Sequence, residues 1–487
     1  MTPVDAVVVL AAGEGTRMRS ATPKVLHAIG GRTLLGHVLA AVAAVDAGQV
    51  AVVVGHGRDQ VVPHVAECLP DAHTAVQSEQ LGTGHATAVG LEQVEAKQGT
   101  VLVVMGDTPL LTARTLFELA AEHQTGRRAV TVLAARLADP TGYGRLVRDA
   151  AGQLVASVEE RDASAEQRAI TDVNTGVYAF DLGFLRTALT GLGTDNAQGE
   201  VYLPDVIALA RSAGLPLGTG WVDDPREVEG VNDRVQLVAL GAELNRRTLV
   251  AGMLAGATVV DPATTWVDVT VTVGRDVRLL PGVQLHGATV VSDGAVVGPD
   301  CTLTDVRVGA GASVVRTHGF GAVVGDGASV GPFSYLRPGT VLHAGGRIGT
   351  FVEVKNSHLG PGAKVPHLSY VGDAEIGAGT NIGAGTITAN YDGVAKHRTT
   401  VGRHCRTGSD NVFVAPVTIG DGASTGAGAV IRRDVPPGAL AVSGGPQRNH
   451  EGWTARRRPG TAQSAAAAGG HDEQADQQPD RDETMPS

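Results

Sequence analysis

Aromatic residues make up only 3% of this 487-residue chain. A core so poor in rings must be filled with Val, Ile, Leu and Ala, which suits a narrow interior. Cysteine is scarce as well. Cys68, Cys301 and Cys405 lie far apart and lack zinc-site spacing. They read as buried or free thiols in a reducing compartment, and a disulfide framework is excluded. No apolar run approaches the length that crosses a bilayer. Asp5 interrupts the N-terminus and Gly13-Glu14-Gly15 follows at once, so no secretory signal is expected. A soluble, cytoplasmic protein with no membrane partner is the expectation. A basic domain is missing too. With 39 Lys and Arg against 50 Asp and Glu, the formal net charge is −11. That argues against nucleic acid as a partner.

What the chain does have is a repeat. From Trp266 to about Arg433, aliphatic residues return every six positions: Val267, Val273, Leu279, Leu285, Val291, Val297 and Leu303. After a one-residue slip the register resumes at Val308 and Val314, then runs from Val324 through Leu342 to Val354. A period of six fits neither a helix nor a flat strand. It fits a chain coiling through short strands and tight corners, each coil pairing with the next. The pattern resembles the hexapeptide-repeat family, whose fold is a left-handed parallel β-helix. The left hand comes from that resemblance, since parallel connections are ordinarily right-handed. Coils of about 18 residues stacked at ~4.8 Å predict a rod roughly 45 Å long. Such a rod has no cleft of its own, so a site must lie on an outer face, on a loop or between copies.

The N-terminal half alternates strands and helices. Residues 4–10, 50–54 and 101–105 read as buried strands, with helical patterns over 34–45 and 86–94. This predicts a mostly parallel, Rossmann-like sheet covered on both faces, with ligands beyond the strands' carboxyl ends. The first strand ends in LAAGEGTRM, residues 10–18. A Gly-rich turn before a helix start suits phosphate. A dinucleotide fold would place a third glycine where Met18 stands, and a kinase-type P-loop would need Gly-Lys-Ser/Thr. Arg17 and Lys24 add two cations, which suits a triphosphate, although a solvated surface lysine is the commoner fate. Asp107 follows five apolar residues and so sits where ligands bind. One carboxylate there can serve a divalent cation, or it can cap the next helix. Asn232 precedes an amphipathic run and is a natural N-cap for a helix over about 232–252.

LAAGEGTRM followed by Pro23-Lys24-Val25-Leu26 resembles the signature of sugar-nucleotidyltransferases. The match continues through Gln77, Leu81-Gly82-Thr83-Gly84-His85-Ala86, Met105-Gly106-Asp107-Thr108-Pro109-Leu110, Tyr143-Gly144-Arg145, Val158-Glu159 and Asn174-Thr175-Gly176. The resemblance implies that Leu10, Ala11, Ala12, Gly13, Gln77, Gly82 and Thr83 contact uracil and ribose. It places Gly144, Glu159 and Asn174 on the sugar, and the catalytic Arg17 and Lys24 on phosphates. Met105, Gly106 and Asp107 complete the nucleotide set, with Asp107 and Asn232 (in Val231-Asn232-Asp233-Arg234) holding Mg²⁺.

Polar interruptions mark the repeat half: Tyr335–Gly339, Phe351–Asn356, Lys364–Asp373 and Thr388–Gly393. They resemble the acetyltransferase half of the bifunctional N-acetylglucosamine-1-phosphate uridyltransferase / glucosamine-1-phosphate acetyltransferases. The resemblance covers about residues 4–453. It implies domains at 1–231 (uridylyltransferase) and 253–453 (β-helix acetyltransferase), a linker helix at 232–252, and a homotrimer with acetyl sites at subunit junctions. The small-molecule substrates implied are UTP, acetyl-CoA, glucosamine 1-phosphate and N-acetylglucosamine 1-phosphate. His367 is the expected base, because a neutral imidazole can take the amine proton near pH 7. A lone histidine among the chain's 16 is more often a hydrogen-bonded corner residue. The neighbours Arg337, Lys355, Tyr370 and Asn381 distinguish His367, and by resemblance they hold glucosamine 1-phosphate. Asn390 and Tyr391 bind it or acetyl-CoA. Ala384, Ser409 and Ala427 line the acetyl-CoA site, and Lys396, in an inserted loop, is placed to reach the CoA phosphates. By the repeat register, His367 and Asn390 lie on outward loops. Cys405 could accept an acetyl group, but no partner base is evident, and direct transfer is preferred.

Many of the family carry an arginine just after a Val-Ser near residue 443, where this chain has Gly444-Gly445 and only later Arg448. Residues 454–487 are polar and repetitive, and read as a disordered tail. Two rival readings are a single-function nucleotidyltransferase with an oligomerising rod, and a catalytically dead regulatory subunit. The set His367, Arg337 and Lys355 opposes the first. Intact Lys24, Asp107 and Asn232 oppose the second.

Overall fold

The computed structural model describes residues 3–445 and 447–468. Strand Ala6–Ala11 is buried at all six positions. It lies between Gln49–Val54 and Thr100–Met105, parallel to both. An unbroken apolar strand is what a sheet covered on both faces requires. Val7 and Val9 pack into one core with Leu35, Val38 and Leu116. Ala6, Val8 and Leu10 pack into another with Ala86 and Leu91. The sheet order is Leu217–Trp221, Val130–Arg136, Asp172–Asp181, Thr100–Met105, Ala6–Ala11, Gln49–Val54, His73–Val76. Asp172–Asp181 runs antiparallel to both its neighbours, and a hairpin, Gly144–Arg148 with Leu154–Val158, branches from it. The two helices expected from the sequence run over Leu34–Ala43 and Thr83–Leu91. The second begins earlier than its apolar pattern predicts, with Gly82 as its N-cap at φ +100°.

The connecting helix spans Arg234–Leu254. Its cap is Asp233, whose carboxylate accepts from the amides of Val235 and Gln236 at 2.9 Å. The expectation of an Asn232 cap is therefore corrected by one residue. Adjacent Asn and Asp offer the same capping chemistry, and sequence alone does not choose between them.

Beyond this helix, three parallel sheets of seven, ten and nine strands stack coil on coil, consistent with a left-handed parallel β-helix. The hexad residues from Val267 to Val354 point inward and are buried, except the half-buried Val273. They join one continuous core reaching from Leu249 to Val435. Asn245, on the connecting helix, seats it on the first coil. Its amide donates to Thr265 O (2.8 Å), and its oxygen accepts from Val267 N (3.0 Å). In the region read as a disordered tail, the described residues carry two short helices, Trp453–Arg457 and Ala462–Ala467. The rest of that tail lies outside the described residues.

Candidate active sites

In the N-terminal half the first site gathers at the carboxyl ends of Ala6–Ala11 and Thr100–Met105. A cavity of 190 Å³ is lined by Leu10, Thr83, Met105, Gly144, Glu159 and Asn174, among others. A second, of 430 Å³, is lined by Arg17, Asp107, Thr108 and Asn232. Both share Met105, Gly142, Tyr143 and Thr175, so they form one elongated cleft.

At one end, Lys24 donates to the Asp107 carboxylate and, at 3.5 Å, to the Asn232 side-chain oxygen. Thr112 caps the next helix, Ala113–Thr125, which leaves Asp107 free of that duty. At the other end, Asn174 donates to Ser157 (3.1 Å) and to the Tyr178 hydroxyl (2.5 Å). Gly144 faces Glu159 so closely that a methyl group there would sit 3.1 Å from its carboxylate. Burial, then the neighbouring Asp162 and Asp205, pushes the Glu159 carboxyl above its usual range. Gln77 is buried, donating to Gly82 O (3.2 Å) and lying 3.0 Å from the His85 ring. Ala11 and Ala12 are buried under the loop, while Gly13 and Arg17 are exposed. Gly106 is buried, its amide donating to Leu10 O (2.9 Å). Tyr143, Ser157 and Tyr178 were missed by sequence reasoning. Tyr143 stood in a quoted motif, and the other two carried no local signal.

The second site is built by coil register. Thr350 pairs with His367, Lys364 with Asn381, Asn381 with Arg406, and Arg406 with Ser424. Three residues further along each coil, the same register stacks His367, Ala384, Ser409 and Ala427 in one column. On a neighbouring sheet, Leu336 pairs with Val354, so Arg337 and Lys355 sit on successive coils. Arg337 pairs with Glu353 at 2.8 Å, and Lys355 with Asp373 at 3.5 Å. Asp373 also accepts from Asn356 at 2.6 Å and from Asn390, which lies 3.5 Å from the Tyr370 hydroxyl. Burial opposes its ionisation. The amides of Asn356 and Asn390, with Lys355, hold its carboxyl below the usual range all the same.

Asn390 is thus buried, contrary to the expectation of an outward position, because its amide satisfies Asp373. His367 is exposed as expected. The inserted loop carries exposed Tyr391, whose hydroxyl donates to Gly393 O at 2.7 Å. Lys396, on the same loop, has its pKa lowered by the neighbouring positive charge of Lys355. Cys405 is buried, and its thiol donates to Gly420 O at 3.1 Å, a packing role.

Among the described residues no helix is long and apolar enough to cross a membrane. Residues 7–171 match the MobA-like NTP transferase domain. Over most of its length the chain is similar to curated proteins named Bifunctional protein GlmU. It is 60% identical to that of Streptomyces coelicolor over 464 residues, covering 95% of this chain and 96% of the relative. It is 60% identical to that of Rhodococcus opacus over 476 residues, covering 96% and 95%. With the Corynebacterium efficiens protein the figures are 57% over 468 residues, covering 95% and 96%. Similarity at this level, spanning the cleft and the coils alike, makes the chain a member of the GlmU family, which joins a uridylyltransferase to an acetyltransferase.

Proposed function

We propose that each half performs one step in making UDP-N-acetylglucosamine, residues 253–453 the first and residues 1–231, with Asn232 beyond them, the second. In the first step the amine of glucosamine 1-phosphate attacks the thioester carbonyl of acetyl-CoA. His367 takes the amine proton as the C–N bond forms, the C–S bond breaks, and CoA leaves as its thiolate, which takes up that proton to become the thiol. Arg337 and Lys355 hold the sugar phosphate, Tyr370 and Asn381 orient the ring, and the Ala384–Ser409–Ala427 column lies along acetyl-CoA. In the second step a phosphate oxygen of N-acetylglucosamine 1-phosphate attacks the α-phosphorus of UTP, and pyrophosphate leaves. Glu159 and Asn174 take the sugar, and Arg17 and Lys24 the phosphates.

This family's nucleotidyl transfer uses a divalent metal. The Asp107 carboxylate and the Asn232 amide oxygen both face the Lys24 ammonium, so hard oxygen donors meet at one cationic point. That donor set suits Mg²⁺. Asp107 and Asn232 would hold it, and bound Mg²⁺ would spread the triphosphate charge. The working form is a cytoplasmic homotrimer. The observation that carries the whole reading is the pair of separate constellations, Lys24–Asp107–Asn232 in the cleft, and on the coils exposed His367 with Arg337 and Lys355 on the neighbouring sheet. Asp107→Ala should lower uridylyl transfer by orders of magnitude and leave acetyl transfer nearly intact, each assayed separately on the full chain. Parallel loss of both activities in a folded variant would refute the two-site reading.

A further inference from the structure

We infer that Glu243, on the helix leaving the nucleotidyltransferase half, is a positioning residue for the metal-holding pair. The inference rests on the reading of Asp107 and Asn232 just given. Glu243 is only 7% exposed, yet it gathers three guanidiniums. It accepts from Arg226 Nη1 (2.8 Å), Arg246 Nε and Nη2 (both 2.8 Å) and Arg247 Nε (2.9 Å). Hydrogen bonds from Arg246 foremost hold its pKa at about 2 in spite of burial, so it stays ionised at any working pH.

Two of those arginines lead away from the helix. Arg226 belongs to the turn Pro225–Val228. Arg247 donates to Asp224 at 2.9 Å and to the carbonyl of Leu110 at 3.5 Å. Glu243 therefore stands where three segments cross: the helix, the 224–228 turn and the loop after Asp107. The last two segments carry the metal pair. Asn232 follows the turn closely, and between them Val231, fully buried, donates its amide to Asp107 O at 3.0 Å. Glu227, in the same turn, accepts from Thr112 at 3.3 Å and from Thr115. Asp107 and Asn232 are far apart in sequence, so these contacts, together with Lys24, which donates to both side chains, set the separation of the two oxygens. A displacement of about 1 Å is enough to weaken such a site.

The test uses the full chain carrying Glu243→Gln or Arg226→Gln. The first readout is Mn²⁺ binding in the presence of UTP without sugar phosphate, followed by the free-Mn²⁺ electron paramagnetic resonance signal. The second is the Mg²⁺ half-saturation of uridylyl transfer. Each variant should weaken Mn²⁺ binding about 10-fold or more, the range for outer partners of metal ligands. The double variant should be little worse than the stronger single, because both remove one strut. Acetyl transfer should stay within about twofold of the unmodified chain, and uridylyl kcat at saturating Mg²⁺ should fall less than metal affinity. Should Glu243→Gln not fold, Arg226→Gln removes the same strut from its half-exposed side, and its Mn²⁺ affinity decides. Lowered thermal stability with unmoved Mn²⁺ affinity would make Glu243 merely structural and overturn the proposal. Asp107→Asn, measured alongside, separates the two ideas. If it too leaves Mn²⁺ binding unchanged, the metal-pair reading has failed. If it alone weakens binding, only the positioning role falls.

Discussion

The ring of His367 faces solvent, and among the described residues its nitrogens carry no hydrogen bond. Its backbone is held firmly, with its carbonyl accepting from Ser369 Oγ at 2.7 Å and from Gly385 N at 3.3 Å. A fixed backbone with an uncommitted ring is what a general base needs. His367→Ala should lower acetyl transfer by roughly 10²–10⁴-fold and leave uridylyl transfer untouched. Thiol release followed for both proteins checks this. A variant rate near that of the unmodified chain would hand the role to water or Tyr370. His367 could be singled out in the sequence because its chemistry is carried by its own ring. Asp373 could not be. Its role lies in collecting Lys355 and Asn356 from the coil before it and Asn390 from the coil after it, residues that only the stacking brings together.

Among the elements, the strand Arg347–Thr350 pairs directly with Lys364–His367. Gly349 lets it do so. A methyl group at Gly349 would lie 1.9 Å from Pro366 O, which is backbone and cannot yield. Gly349→Ala should therefore push the His367 strand outward. The expected cost is more than about 1 kcal/mol of stability, together with a reduced acetyl rate and unchanged uridylyl transfer. Denaturant unfolding and the two assays would show it, and a full acetyl rate would mean that the coils absorb the shift elsewhere. Elements whose pattern is long were legible beforehand. The hexads from Val267 onward repeat often enough to define inside and outside, and the Arg234–Leu254 helix was read to within two residues at each end. The Thr83–Leu91 helix was read late. Its first turn is Thr-Gly-His, a segment spent on the cleft, with no apolar stripe to mark it.

For the whole molecule, the corner beside His367 presents Phe333, Phe351 and Leu368, which are 52%, 59% and 64% exposed. The two rings stack at 5.4 Å. Apolar surface in that position fits burial by a second copy. Phe351→Asp should dissociate the proposed trimer, measured by sedimentation. Acetyl transfer should fall with it and uridylyl transfer should persist. An intact trimer would move the interface to another face. The connecting helix has a different consequence, one of inheritance. Within three residues it presents Glu243 to the nucleotide half and Asn245 to the first coil. Neither half can therefore be exchanged for that of a distant relative at a clean seam. A crossover inside this helix would have to preserve both faces at once, so the two activities are expected to descend together rather than be shuffled as separate modules.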